Sequence, residues 1–162
     1  MFKRYLKKHT KEQFEQYLAS RDSDVVERRC LEMEMVWSKK ALTAMDRGES
    51  SCVKTRVQML VLNGAVFIFL PFEVLTATGN KIETILSPTV DKARCFVVGY
   101  SNDVSGYLPP SEEGGMDTYE TKGSAHWYNL KGEYDVRAER IVLRAVKALK
   151  RKYDCFLSGK KM

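Results

Sequence analysis

The stretch CVKTRVQMLVLNGAVFIFLP, from Cys52 to Pro71, decides the fold. Its first half sets Val53, Thr55, Val57, Met59 and Val61 at alternate positions. That is the spacing of a strand with one face turned toward a core. Asn63-Gly64 follows, and these are the residue types that tolerate the positive φ angles of a two-residue hairpin turn. Beyond the turn, every position from Ala65 to Leu70 is apolar. That predicts a central strand covered on both faces. Pro71 has no amide hydrogen for a ladder and ends it.

Working outward, Glu73 to Leu86 predicts a helix, with Val74, Ala77, Ile82, Ile85 and Leu86 available for packing and Gly79 as a weak point. ARCFVVGY, residues 93–100, reads as a second short buried strand. Strand, helix and strand then form a crossover unit. Residues 1–50 read as helical. Thr10 with Gln13 resembles a capping box ahead of Phe14, Tyr17 and Leu18. A second helix, Val25 to Asp46, carries Val26, Cys30, Met33, Trp37, Leu42 and Met45, and Gly48 marks its end. After residue 100 the chain reads as a loop to about Tyr134. A last helix is expected with Asp135 as its N-cap and Val142, Val146, Leu149, Tyr153 and Phe156 on one face. The expected fold is α/β of the mixed α+β kind: a small mixed sheet with a β-hairpin and one crossover helix, flanked by N- and C-terminal helices.

The chain has 162 residues, which suits one domain. A net charge of +6 favours anionic partners. Basic clusters at Lys3–Lys8 and Lys147–Lys152 allow a non-catalytic binding module for a lipid surface or a nucleic acid, although both clusters also fit solvated helix faces. Nucleic acid is the less favoured partner, because the basic bias is modest. Cys30, Cys52, Cys95 and Cys155 contain no CxxC pair, so a zinc ribbon is not expected, and reduced, mostly buried thiols in a cytoplasmic protein are. The N-terminal MFKRYLKKHTKEQFEQYL is charged throughout and does not read as a signal peptide. The longest apolar run, Gly64–Phe72, is too short for a transmembrane segment.

Two polar features follow the two buried strands. One is LPFE, ending in Glu73; the other is GYSNDVSGYLPPSEEGG, residues 99–115. Ligand sites gather beyond the carboxyl ends of strands joined by crossover helices, so Glu73 and Tyr107 would face one pocket if their strands are neighbours. Glu73 also fits a plainer role at a helix N-terminus, favoured by the dipole. Asn102, Asp103, Ser105 and Tyr107 could bind substrate or metal, or could serve the turns of a loop. The aromatic content of the connection (Tyr107, Tyr119, Trp127, Tyr128, Tyr134) argues for order. Of the two histidines, His9 lies in a basic segment, and His126 reads as a substrate-contact or loop residue. A serine hydrolase would need Ser105 with His126 as base and Asp103 or Asp117 as orienter, but DVSGY is not the Gly-x-Ser-x-Gly elbow.

In order, VQMLVLNGAVFIFLPFEVLTATGNKI, CFVVGYSNDVSGYLPPSEE and the pair Tyr119-Glu120 resemble the C-terminal part of the catalytic domain of neutral/alkaline non-lysosomal ceramidases. Pro71-Phe72-Glu73-Val74 stands where that family has a Pro-Gly-Glu-Phe-like turn, with Phe72 adding bulk beside Glu73. Asn102 to Tyr107 stands for an Asn-x-x-x-Gly-Tyr-like loop. The resemblance covers roughly residues 53–150, and order and spacing carry it more than any one motif. It implies a helical lead-in over 1–50, a ceramidase-like part over 51–157 and a tail over 158–162. It also implies a zinc amidase acting on the N-acyl bond of ceramide-like lipids, with Glu73 and Tyr107 as metal ligands and Asn102, Ser105, Tyr119 and His126 near substrate. The family's two zinc histidines and its serine motif lie upstream of the matched region. The resemblance therefore implies a partial or diverged region that does not catalyse alone, with a weak or incomplete zinc site that an upstream segment or a second chain completes.

Overall fold

A computed structural model describes residues 25–49, 52–113, 116, 118–130, 135 and 137–159. The helix expected near Thr10, and the Lys3–Lys8 cluster, lie outside the described residues. The chain parts into two compact units, one of residues 1–52 with 125–132, the other of residues 53–124 with 133–162.

In the first unit, helix α1 spans Val25–Asp46. Among its described side chains Trp37, Ser38 and Ala41 are buried, whereas Met33 and Met45 are exposed. Its end has a physical cause in Gly48, at φ +66°, where a side chain would be strained. There the amide of Gly48 donates to Met45 O and that of Glu49 to Ala44 O, which is the Schellman pair. The returning segment 125–130 is tied to α1 by the Trp37 indole N–H, which donates to Leu130 O.

In the second unit, β1 (Gln58–Leu62) and β2 (Ala65–Phe69) form the expected antiparallel hairpin, Leu62 opposite Ala65. Asn63 and Gly64 both adopt positive φ, as the turn requires. Strand β1 is shorter than the alternation of Val53 to Val61 suggested, because residues 53–57 form no ladder. Strand β3 (Glu73–Val74) and helix α2 (Thr76–Leu86) follow. Strand β4 (Cys95–Val98) then lies parallel to β2, so α2 is the crossover and the order is β1-β2-β4. Strand β2 is central, as expected, but its two faces differ. Val66 and Ile68 are sealed, while Phe67 and Phe69 are half-buried and Phe67 stacks on Phe96 at 4.9 Å. Strand β5 (Tyr107–Leu108) pairs with β3 in a second, two-stranded sheet.

Helix α3 spans Ala138–Leu157. Asp135 is not its N-cap; that position falls on Arg137, and the Asp135 carboxylate instead closes the preceding turn by accepting from Arg137 N at 2.8 Å. Of the expected face, Val142 and Val146 are buried and Leu149 and Tyr153 half-buried, but Phe156 is exposed. The core joins Val66, Ile68 and Leu70 to Ile82 and Leu86 of α2 and to Val142 and Val146 of α3. The fold is α+β. Among the described residues no helix is long and apolar enough to cross a membrane. No disulfide links the cysteines; Cys95 is buried, Cys30 and Cys155 half-buried, and Cys52 exposed.

Candidate functional site

The segment Leu70–Val74 is held on both sides by the loop that follows β4. Leu70 N donates to Val98 O, Ser101 N to Leu70 O and Tyr100 N to Phe72 O. On the other side Ser105 N donates to Pro71 O at 2.7 Å and Glu73 N to Gly106 O at 2.9 Å. The loop therefore doubles back, and its sequence permits this. Gly106 sits at φ +85° and Asn102 at +67°, both residue types that tolerate that region. Tyr100, at φ +52°, is a bulky residue there. Such a conformation costs about 1–2 kcal/mol and is held by its surroundings.

This doubling pairs Glu73 with Tyr107 in parallel register. Glu73 therefore lies in a strand, not at the start of the predicted helix, and the first turn of α2 contains no acidic residue. The dipole role for Glu73 does not apply. The Tyr107 hydroxyl donates to the Glu73 carboxylate, and that bond, then burial, then the carboxylate's charge, push the phenol up to about 12. The Tyr100 phenol is also raised, by burial first and then by its interaction with the Glu73 carboxylate. Tyr119 meets Tyr107 edge to face at 5.7 Å. Its backbone belongs to a single π-helical turn, Tyr119–Gly123, in a region expected to be loop. That turn is anchored by Thr121 Oγ1, which donates to Met116 O at 2.7 Å. Tyr100 and Tyr119 are both more than half exposed, so the carboxylate and its three phenols open to solvent.

Asn102 is exposed and donates through Nδ2 to Gln58 Oε1 at 2.6 Å. With Lys54, Arg56 and Asp103 it lines a polar groove of about 400 Å³. Ser105 is 4% exposed, and the Asp103 carboxylate accepts from the amide of Val104. His126 belongs to the other compact unit, where its ring tilts against Trp37 and Trp127. Asp117 lies outside the described residues. Lys150, in the second basic cluster, is engaged with Asp154 and Thr89.

The sequence reading missed Tyr100 at this site; the signal available was a second tyrosine in the same glycine-bounded loop. It also missed Glu139, which is 1% exposed. Its carboxylate accepts from Lys81 Nζ at 2.9 Å, from Thr78 Oγ1 at 2.7 Å and from Ser111 N at 2.8 Å. Burial alone would raise this carboxyl, but the Lys81 bond and then the Ser111 and Thr78 bonds outweigh it, and the net shift is downward.

As a metal centre the cluster offers two oxygen donors side by side, the Glu73 carboxylate and the Tyr107 phenol. Among the described residues no group of three or more His, Cys, Asp and Glu could hold a metal. Comparison with protein-family models, curated proteins and solved structures finds no match to this chain.

Proposed function

We propose that this chain carries the Glu–Tyr half of a ceramidase-like zinc hydrolase site, of the kind that cleaves the N-acyl amide of ceramide-like lipids. The observation that carries this reading is the register pairing of Glu73 with Tyr107. Two residues thirty-four positions apart, singled out by motif order, stand on neighbouring strands with the phenol on the carboxylate. Zinc, when bound, would polarise the amide carbonyl and activate a nucleophile. The chain's own part is to hold two ligands. The strand β3 backbone, clamped from both sides, fixes the direction of Glu73. The phenol of Tyr107 holds its carboxylate, and Tyr119 packs on Tyr107. Two imidazoles from an upstream segment or a second chain would complete the shell, and the chain alone is not catalytic.

The test is zinc titration of the full chain and of its Glu73→Ala form against a chromophoric chelator. Weak binding that falls to background in the variant, with no hydrolysis of an N-acyl sphingoid by the chain alone, supports the reading. Tight stoichiometric zinc that ignores Glu73→Ala overturns the ligand assignment.

A further inference from the structure

Two grooves of the first compact unit meet along one side of α1. The first, about 520 Å³, has Met33, Val36, Trp37 and Trp127 as its apolar wall, with Arg29, Glu32 and His126 along its edge. Met33, Val36 and Trp127 are 44%, 53% and 44% exposed, so this apolar surface is open to solvent. The second, about 420 Å³, carries Lys39, Lys40 and Arg47 against Glu49. Trp37, Lys40 and Asn129 line both, so the two are continuous. Each volume falls within the range of small-molecule sites.

We propose that this double groove binds a fatty carboxylate, the acyl chain along Met33, Val36 and Trp127 and the carboxylate at Lys40 and Arg47. Three cations against one carboxylate make the second groove complementary to an anion, and the apolar wall leads directly into it. A ligand with one alkyl chain and one anionic head satisfies both, whereas a purely apolar ligand leaves the cations unused and a small anion leaves the apolar wall wet. The helix sets the geometry. Val36 and Lys40 are four residues apart in α1, one turn, so they lie on one face, and Arg47 follows directly after the helix's last residue, Asp46. This inference does not depend on the zinc reading, since it involves neither Glu73 nor Tyr107.

The chain's two tryptophans, Trp37 and Trp127, both line the apolar groove, so tryptophan emission, excited where tyrosine does not absorb, reports on this site. The full chain is titrated with dodecanoate below its micelle concentration. A saturable spectral shift is expected. Decanoate, two methylenes shorter, should bind roughly tenfold more weakly. The Lys40→Gln/Arg47→Gln double variant should lose about tenfold or more, since a charge-assisted bond goes with each head-group contact. Dodecylammonium, with the opposite charge, should give no saturable shift. Both substituted residues are exposed, and far-UV circular dichroism checks the fold; Arg47→Gln alone serves if the double variant unfolds. Absence of a saturable shift overturns the proposal, as does an equal response to dodecylammonium or an unchanged affinity in the variants.

Discussion

The Tyr107 hydroxyl donates to the Glu73 carboxylate across the paired strands β5 and β3. Because the neutral phenol is the donor, ionising it breaks the bond and sets two anions together. Tyr107 is therefore pushed up to about 12 from its ordinary 10. The sign follows: the stabilisation is complete below pH 10 and is lost as pH rises through about 12. Tyrosine Cζ chemical shifts of the metal-free chain should show Tyr107 ionising at about 12. In Glu73→Ala, which removes both the acceptor and the charge, its midpoint should move down toward 10. An unchanged midpoint in that variant would remove Glu73 as the cause.

Glu139 supplies a second test, independent of any ligand. Its buried carboxylate joins α2, through Thr78 and Lys81, to the turn at Ser111. Removing it in Glu139→Ala leaves those donors without their acceptor, and a loss of about 3 kcal/mol is expected. The carboxyl is held below its ordinary 4.5, so its stabilisation is present above that pH and disappears as pH falls. Urea unfolding at pH 7 and at pH 3.5 should therefore show a large difference between wild type and variant at the first and a smaller one at the second. Equal differences at both would mean that the carboxylate's charge contributes nothing.

His126 behaves in the opposite sense. Its Nε2 is sealed from solvent and has no hydrogen-bond partner among the described residues. Burial depresses its proton affinity below the ordinary 6.5. The unfolded chain then takes up the proton first, so stability is complete above that pH and falls as pH drops below it. His126→Phe keeps a ring between Trp37 and Trp127 and removes the orphaned nitrogen. Its melting temperature at pH 7 should equal or exceed that of the wild type, and its decline between pH 7 and 5 should be shallower. A steeper decline in the variant would contradict this.

Local signals were strong where the chain's own chemistry sets the structure. The hairpin at Asn63-Gly64, the crossover between two apolar strands and the end of α1 at Gly48 were all legible from residue types and spacing. Strand β5 and the π turn were not, because each is short and depends on partners far along the chain. The two residues of β5 exist only because β3 lies beside them. For the same reason the pairing of Glu73 with Tyr107 could be suspected from motif order, but the shift of Glu73 from helix to strand could not. Glu139 gave no signal, since a carboxylate on an amphipathic helix reads as solvated until Lys81 and Ser111 are brought to it. Phe156 failed for the reverse reason: its helical spacing continues past the point where the core ends.

Two glycines separate backbone crowding from helix propensity. A methyl group at Gly99 would stand 2.8 Å from Phe72 O, the same carbonyl that accepts from Tyr100 N. Phe72 O is a backbone atom and the methyl is fixed directly to Cα, so neither can turn aside, and the loop must move away from Leu70–Val74. Gly99→Ala should cost about 1–3 kcal/mol and disturb the register that pairs Glu73 with Tyr107. Gly79, inside α2, has nothing within 4 Å of such a methyl. There the change removes only the entropy penalty of glycine in a helix, and Gly79→Ala should stabilise by roughly 0.5–1 kcal/mol. Denaturant midpoints of the two variants should move in opposite directions, and the Tyr107 midpoint should change in Gly99→Ala alone. If Gly99→Ala were as stable as the wild type with Tyr107 unmoved, the close approach of the loop to Phe72 would not be what holds the site.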